Sequence, residues 1–555
     1  MEQLIEVDYL VIGAGSAGCV LANRLTENSE NTVMLVEAGG PDRWWNWKIH
    51  MPSALAYPLA DNKYNWAYFS EPERHLDARR MYCPRGKIWG GSSSINGMAY
   101  VRGHALDYER WSLSGGCEGW SYSDCLPYFK KAEGLDIGGD DYRGGVGPLK
   151  VTAGKMGNPL YRAWIEAGRQ AGYPVTDDPN GYQQEGLGRM DMTVGLGRRS
   201  SAAQAYLHPS LKRKSLKVFS NTLVTRILIE GKRAVGIEVF RNGDTQKIFA
   251  TKEVILCAGA ISSPQILMLS GVGPIDHLRD LGIELKHDLP GVGLNLQDHL
   301  EIYLQKECLK PISLFKVNNP LKKLFIGIQW ASTKKGLGAT NHFEAGGFIR
   351  SSPGVKHPDI QYHFLPLAAN YDGTSPQLCH GYQVHVGPMR PTSRGYIQLR
   401  SNNPMEGPKI TFNYMKTGQD KKEMREGIRL TREILAQPAF QSFAGKELSP
   451  GEGVQTDEEI DEFVQKNGES AYHPACSCKM GNDEKSVVNS KGKVHGMESL
   501  RIVDASIMPS IVSGNLNAPT IMMAEKIADD IRGKMALAKE DKSFWVHPDW
   551  QNKQR

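Results

Sequence analysis

The segment Val7-Asp8-Tyr9-Leu10-Val11-Ile12-Gly13-Ala14-Gly15-Ser16-Ala17-Gly18 decides how this 555-residue chain is to be read. Val7 to Ile12 is an apolar run suited to a buried strand. Gly13, Gly15 and Gly18 follow at GxGxxG spacing, inside a stretch that reads as a helix to Leu25. A second apolar strand, Thr32 to Val36, ends in Glu37, nineteen residues beyond Gly18. At that distance a carboxylate reaches the ribose of a dinucleotide whose pyrophosphate rests on the helix N-terminus. The glycines allow the turn and the close approach, while unpaired amides and the helix dipole attract the phosphates. GxGxxG alone is a weak signal; set in one βαβ unit with an acid at this spacing, it predicts dinucleotide binding. Glu37 would repel a 2'-phosphate, which argues against NADP.

Working outward, Lys252 to Gly259 reads as another strand ending in glycine, after an alternating stretch from Val218 to Phe240 that resembles a small meander. Leu500 to Asp504 reads as a strand and Thr520 to Ile531 as a helix, with Ile521, Ala524, Ile527, Ala528 and Ile531 on one stripe. Pieces of one α/β layer thus lie near the start, middle and end. The expected fold is α/β: a discontinuous Rossmann-like domain over 1–155, 205–300 and 470–540, and an inserted α+β domain over 156–204 and 301–469, with 541–555 as a tail.

Composition narrows the function. Lysine and arginine number 66 against 61 acids, a surplus of five that is too thin for a nucleic-acid binder. No apolar run is long enough for a spanning helix, and the first residues lack signal- or transit-peptide character. The nine cysteines form no CxxC pair, so neither a disulfide scaffold nor a thiolate zinc site is expected. HExxH, GxxxxGK[ST] and GxSxG are absent, and no metal is expected. Glycine, at 59 residues, is in excess, as where backbone lies close to a cofactor.

Gly86-Lys87-Ile88-Trp89-Gly90-Gly91-Ser92-Ser93-Ser94-Ile95-Asn96 has the small and hydroxyl residues needed where amides face a planar or anionic ligand. In the segment from Gly259 to Gly273, Ser263 suits an N-cap, Pro264 the first helical position and Gly271 the helix end. Both segments, with the glycines at 13–18 and the regions around His473 and Asn517, resemble the glucose-methanol-choline (GMC) family of FAD-dependent oxidoreductases. The likeness runs from about residue 7 to 533. Its choline-oxidising members are the nearest match, in Asn341-His342-Phe343-Glu344-Ala345-Gly346-Gly347-Phe348, in Ser470-Ala471-Tyr472-His473-Pro474 and in Cys478-Lys479-Met480-Gly481.

The resemblance implies FAD and oxidation of choline to betaine aldehyde, with electrons passed to a quinone or another acceptor. It leaves open whether oxygen serves as acceptor and whether the aldehyde is carried on to glycine betaine. It implies His473 as the base that takes the hydroxyl proton and Asn517 as a donor to the forming alkoxide, although asparagine at 515 or 517 is also a usual helix cap. Glu344 matches the carboxylate position, with Tyr472 and Trp66 as aromatic partners for a quaternary ammonium. The alternatives are an ordinary ion-pair partner for Glu344, although a single acid within His-Phe-Glu-Ala-Gly-Gly-Phe is less typical of a solvated face, and a core residue for Trp66. Flavin contacts are implied at Gly91, Ser92, Asn96 and Asp504, and an adenine contact at Val224. Some family members tether FAD through a histidine where this chain has Ile95, so non-covalent FAD is expected. Asn319-Pro320 opens a helix with Leu321, Leu324, Phe325 and Ile328 on one face and Lys322 and Lys323 beside it. This is the pattern of a basic interfacial helix or of one half buried against the protein. The family tips the reading towards peripheral membrane attachment in an intracellular setting, at the inner mitochondrial or the bacterial cytoplasmic membrane. A GMC enzyme for another primary alcohol is the alternative.

Overall fold

In the computed structural model, residues 5–317, 319–369 and 379–555 are described. The chain opens with β1 (Ile5–Ile12), α1 (Ser16–Leu25) and β2 (Val33–Val36). Strand β3 (Gly186–Arg189) precedes β4 (Leu216–Phe219), β5 (Leu223–Glu230), β6 (Arg233–Arg241) and β7 (Asp244–Leu256), which leads into α2 (Gly259–Leu269). Then come β8 (Leu300–Cys308), α3 (Pro320–Thr333), β9 (Ala345–Ile349), β10 (Ile360–Leu365) and β11 (Gly381–Pro388). Finally β12 (Leu500–Ile502) and α4 (Asn517–Ile531) return to the first layer.

Among the described residues, the first sheet has seven strands, ordered β4-β2-β1-β7-β6-β5 with β12 also paired to β7. Its β4, β2, β1, β7 and β12 run parallel, and β5, β6 and β7 form the antiparallel meander that the alternation predicts. Residues 9–12 of β1 are buried throughout, as a parallel strand covered on both faces must be. Helices α1 and α4 pack together on it, tied by Arg24 Nη2 at 2.6 Å from the buried Glu525 carboxylate. The apolar stripe expected over 520–531 is too narrow a description: Met522, Met523 and Glu525 are buried as well, because α4 is enclosed on several sides.

The second sheet runs Ala444–Ser449, β8, β11, β10, β9, β3, Val175–Thr176, and is antiparallel except at its last pair. Its register sets Tyr303 opposite His385, and His385 opposite His363, in one row across three strands. Side chains at alternate positions share a face, so His299, Glu301, Tyr303 and Gln305 project together.

One helix start differs from expectation. Helix α2 begins at Gly259, not after a Ser263 cap, and Pro264 lies inside it. Asp504 explains the early start: its Oδ2 accepts the Gly259 N–H at 2.9 Å and the Ser263 hydroxyl at 2.6 Å. Pro264 cannot bond the Ala260 carbonyl, and the Ser477 hydroxyl donates to that oxygen instead, at 2.5 Å. Gly271, at φ +83°, ends the helix as expected. Among the described residues no helix is long and apolar enough to cross a membrane.

Candidate active site

A cavity of about 1610 Å³ runs from the glycine turn after β1 to the inner face of the second sheet. At one end two backbone loops meet. A Cβ on Gly91, whose φ is +51°, would stand 2.7 Å from the Gly15 Cα, and one on Gly13 would stand 2.7 Å from the Cys257 carbonyl oxygen. Gly18 lies behind the wall, where a Cβ would fall 1.9 Å from the Gly13 carbonyl oxygen, so it serves the packing of helix on turn. Neither α1 nor α4 has a side-chain cap, which leaves the amides of both N-termini for a ligand.

Glu37 lies in the wall below the turn. Its two carboxylate oxygens accept N–H groups of Ala14 and Gly39, each at 2.8 Å, and burial pushes its carboxyl up to about 7. Ser92, Asn96, Val224 and Asp504 also line the cavity. Ser92 Oγ accepts the Gly86 N–H, and Asn96 Oδ1 accepts Arg199 Nη1 at 2.7 Å, so the loop is braced from behind.

At the other end lies His473. Its backbone N–H donates to Asp298 Oδ1 at 2.6 Å, and that buried carboxylate is held by the hydroxyls of Ser470 and Tyr414, each at 2.5 Å. The two rings of His299 and His473 meet through Nδ1 atoms 3.1 Å apart, and His299 Nε2 lies 3.0 Å from the Met389 carbonyl oxygen. Burial holds both imidazoles neutral, His299 at about 4 and His473 well below its usual range, the latter helped by His299, His363 and Arg85. The bonding chain then assigns the tautomers. His299 donates from Nε2 to the carbonyl, so its Nδ1 must accept from His473 Nδ1, and the lone pair of His473 is left on Nε2.

The atom facing that lone pair belongs to Asn515, not to Asn517. Asn515 Nδ2 lies 3.0 Å from His473 Nε2, while Asn515 Oδ1 accepts from Gln361. Asn517 sits two residues on, as the first residue of α4; its Oδ1 accepts the Ser16 hydroxyl at 2.8 Å, and its buried Nδ2 has no hydrogen-bond partner among the described residues. The helix start pulls Asn517 back to α1, and the loop before it delivers Asn515 to the base.

Glu344 is placed differently from Glu301. It lies outside the cavity wall, its carboxylate accepting the Met156 N–H at 2.6 Å and the Thr340 hydroxyl at 2.7 Å. At this end the wall carries the carboxylate of Glu301, whose Oε1 is 3.0 Å from His385 Nδ1 and within reach of the Tyr303 hydroxyl. The rings of Tyr303, Phe343 and Tyr472 line the same region. Trp66 reaches the wall, but it stacks on Tyr68 and already carries the Lys87 ammonium 4.7 Å from its ring centre. Glu301 was open to detection: in His299-Leu300-Glu301-Ile302-Tyr303-Leu304-Gln305 polar and apolar residues alternate, the mark of a strand with one face on a polar cavity.

The sequence profile of GMC oxidoreductases matches residues 7–301 and, in a second part, 391–524. An oxygen-dependent choline dehydrogenase of Pseudomonas syringae pv. tomato is 57% identical over 548 residues, covering 98% of this chain and 96% of that protein. This chain belongs to the GMC oxidoreductase family. The mitochondrial choline dehydrogenase of Homo sapiens is 56% identical over 547 residues, covering 97% of this chain and 92% of that one. Among solved structures, pyridoxine 4-oxidase from Mesorbium loti is similar with a TM-score of 0.86 and 29% identity, over 95% of this chain and 100% of that chain.

FAD is the cofactor of these oxidoreductases, and the residues present fit it. The glycine walls would be filled by any Cβ, two uncapped helix ends face the cavity, and the orphaned amide of Asn517 lies between them. A direct check is Gly91→Val. With φ positive and Gly15 in the way, this GMC oxidoreductase variant is expected to hold FAD at least about tenfold more weakly, read as the ratio of flavin to protein absorbance.

Proposed function

We propose that this protein oxidises choline to betaine aldehyde. The observation that carries the reading is a single cavity that joins a flavin-type glycine cradle, a neutral imidazole with its lone pair inward, and a carboxylate among aromatic rings. The names of the two choline dehydrogenases above support the same substrate.

FAD, when bound, supplies the acceptor for two electrons. His473 Nε2 takes the hydroxyl proton, and Asn515 Nδ2 donates to the oxygen that is left. Glu301 faces the trimethylammonium group, which has no N–H to donate and so needs charge and ring faces. His299, which holds His473, directly precedes β8, and Glu301 lies two residues on, about 7 Å along the chain, so hydroxyl and cation are gripped at opposite ends of a short amino alcohol. The N-terminus of α4 directs its dipole at the same cavity.

Further parts of this reading follow. Ile95 offers no nucleophile and packs with Ile49 and Ile88, which supports non-covalent FAD. The two sheets support the division into 1–155, 205–300 and 470–540 against 156–204 and 301–469. A quinone as acceptor and a peripheral membrane contact are favoured by the exposed stripe of α3. Production of betaine aldehyde makes this a step towards glycine betaine.

Anaerobic mixing of the holoenzyme with choline tests the substrate. Choline is expected to bleach the flavin absorbance completely, with simple primary alcohols slower by orders of magnitude. Bleaching by such alcohols at comparable rates would overturn the assignment.

A further inference from the structure

Helix α3 is held to the protein by very little. Of its residues only Trp330 is buried, its indole N–H donating to the Gly197 carbonyl at 2.7 Å. At 100° per residue Trp330 points opposite to the stripe of Leu321, Leu324, Phe325 and Ile328, so the stripe lies on the side of the helix away from its anchor. Those four side chains are between 58% and 77% exposed. A helix of 14 residues with one anchor is marginal in water, where helical stability comes mainly from covering the apolar face.

The stripe is not alone. The neighbouring turn at Gly197 carries Leu196, 94% exposed, and Arg198 of the same turn donates to the Trp44 carbonyl at 3.0 Å. Trp44 and Trp45 are 72% and 59% exposed. Trp44, Trp45, Leu324 and Ile328 also border the cavity, so its mouth opens within this apolar face. Soluble monomers rarely leave so much apolar surface contiguous and uncovered.

We infer that this face seats on an anionic lipid bilayer, with the mouth of the cavity opening against the membrane. The inference rests on the membrane contact in the function proposed above and names the surface that makes it. Charge selects the occupant: residues 316–335 hold five lysines and no acid. Such a face complements anionic headgroups, whereas two copies placed face to face would bring the lysines together. Indole rings beside an apolar stripe are suited to the headgroup boundary. A lipid-dissolved electron acceptor would then enter from the bilayer without crossing water.

Flotation of the holoenzyme with phosphatidylcholine vesicles, with and without phosphatidylglycerol, tests this. Binding to the anionic vesicles is expected, weakening as salt rises. Leu321→Glu and Phe325→Glu, neither of which lines the cavity, should weaken it at least about tenfold each. Lys316→Gln with Lys322→Gln should weaken only the phosphatidylglycerol-dependent part. Choline oxidation with a soluble dye should be unchanged in all of them, which shows that the variants fold. If wild type floats and the glutamate variants float equally well, the surface is wrong while membrane contact stands. If wild type never floats with anionic vesicles, both are wrong. Self-association abolished by Phe325→Glu, without flotation, would give the face to a second copy and overturn the inference.

Discussion

Replacing His473 with alanine leaves a folded, yellow protein whose flavin is reduced by choline roughly 10²–10⁴ times more slowly. The size follows from the tautomer chain. The Met389 carbonyl fixes His299, His299 fixes His473, and the only unprotonated nitrogen of the base points at the Asn515 amide. Rapid mixing under anaerobic conditions reads the rate. Asn515→Ala should slow the same step by about two orders of magnitude, as removal of an alkoxide donor does, and Asn517→Ala should act mainly on FAD retention. Reduction of His473→Ala within a few-fold of wild type would remove the histidine from the chemistry.

Glu301→Gln is expected to weaken choline binding by roughly a hundredfold, while Glu344→Gln changes it little. A carboxylate near a quaternary ammonium in a partly buried site contributes about 3 kcal/mol, and each 1.4 kcal/mol is roughly tenfold. Glu344 already spends both oxygens on the Met156 amide and the Thr340 hydroxyl, so its loss should appear in thermal stability instead. Titration of the flavin spectrum with choline measures both variants. An uncharged isostere such as 3,3-dimethylbutanol should lose little on Glu301→Gln, because it has no cation to hold. The reverse ranking of the two glutamates would return the headgroup to Glu344.

Local pattern and spacing made much of this protein legible. The strand, turn and helix at 5–25, the acid at 37 and the late return of the chain to the first layer are properties of short segments, and periodicity reports those directly. The exposed stripe of α3 was visible as a period, but two surroundings give the same period. In the structure the four stripe residues are exposed and the helix touches the body at Trp330, which favours the first of the two readings.

What the linear order could not supply was direction. Asn515 and Asn517 are both small amides before a helix, and only the start of α4 against Ser16 turns one towards flavin-binding loops and the other towards His473. Glu301 and Glu344 are both single acids beside apolar strands; the register of β8 with β11 sets one in the cavity, while the loop before β9 turns the other towards Met156. The sequence by itself determined the glycine cradle and its acid, because strand, turn and spacing report one βαβ unit, while the histidine was implied by the motif around it that resembles the family. Which amide meets that histidine and which carboxylate lines the cavity depends on packing between segments far apart in the chain, and such contacts leave no local period to read.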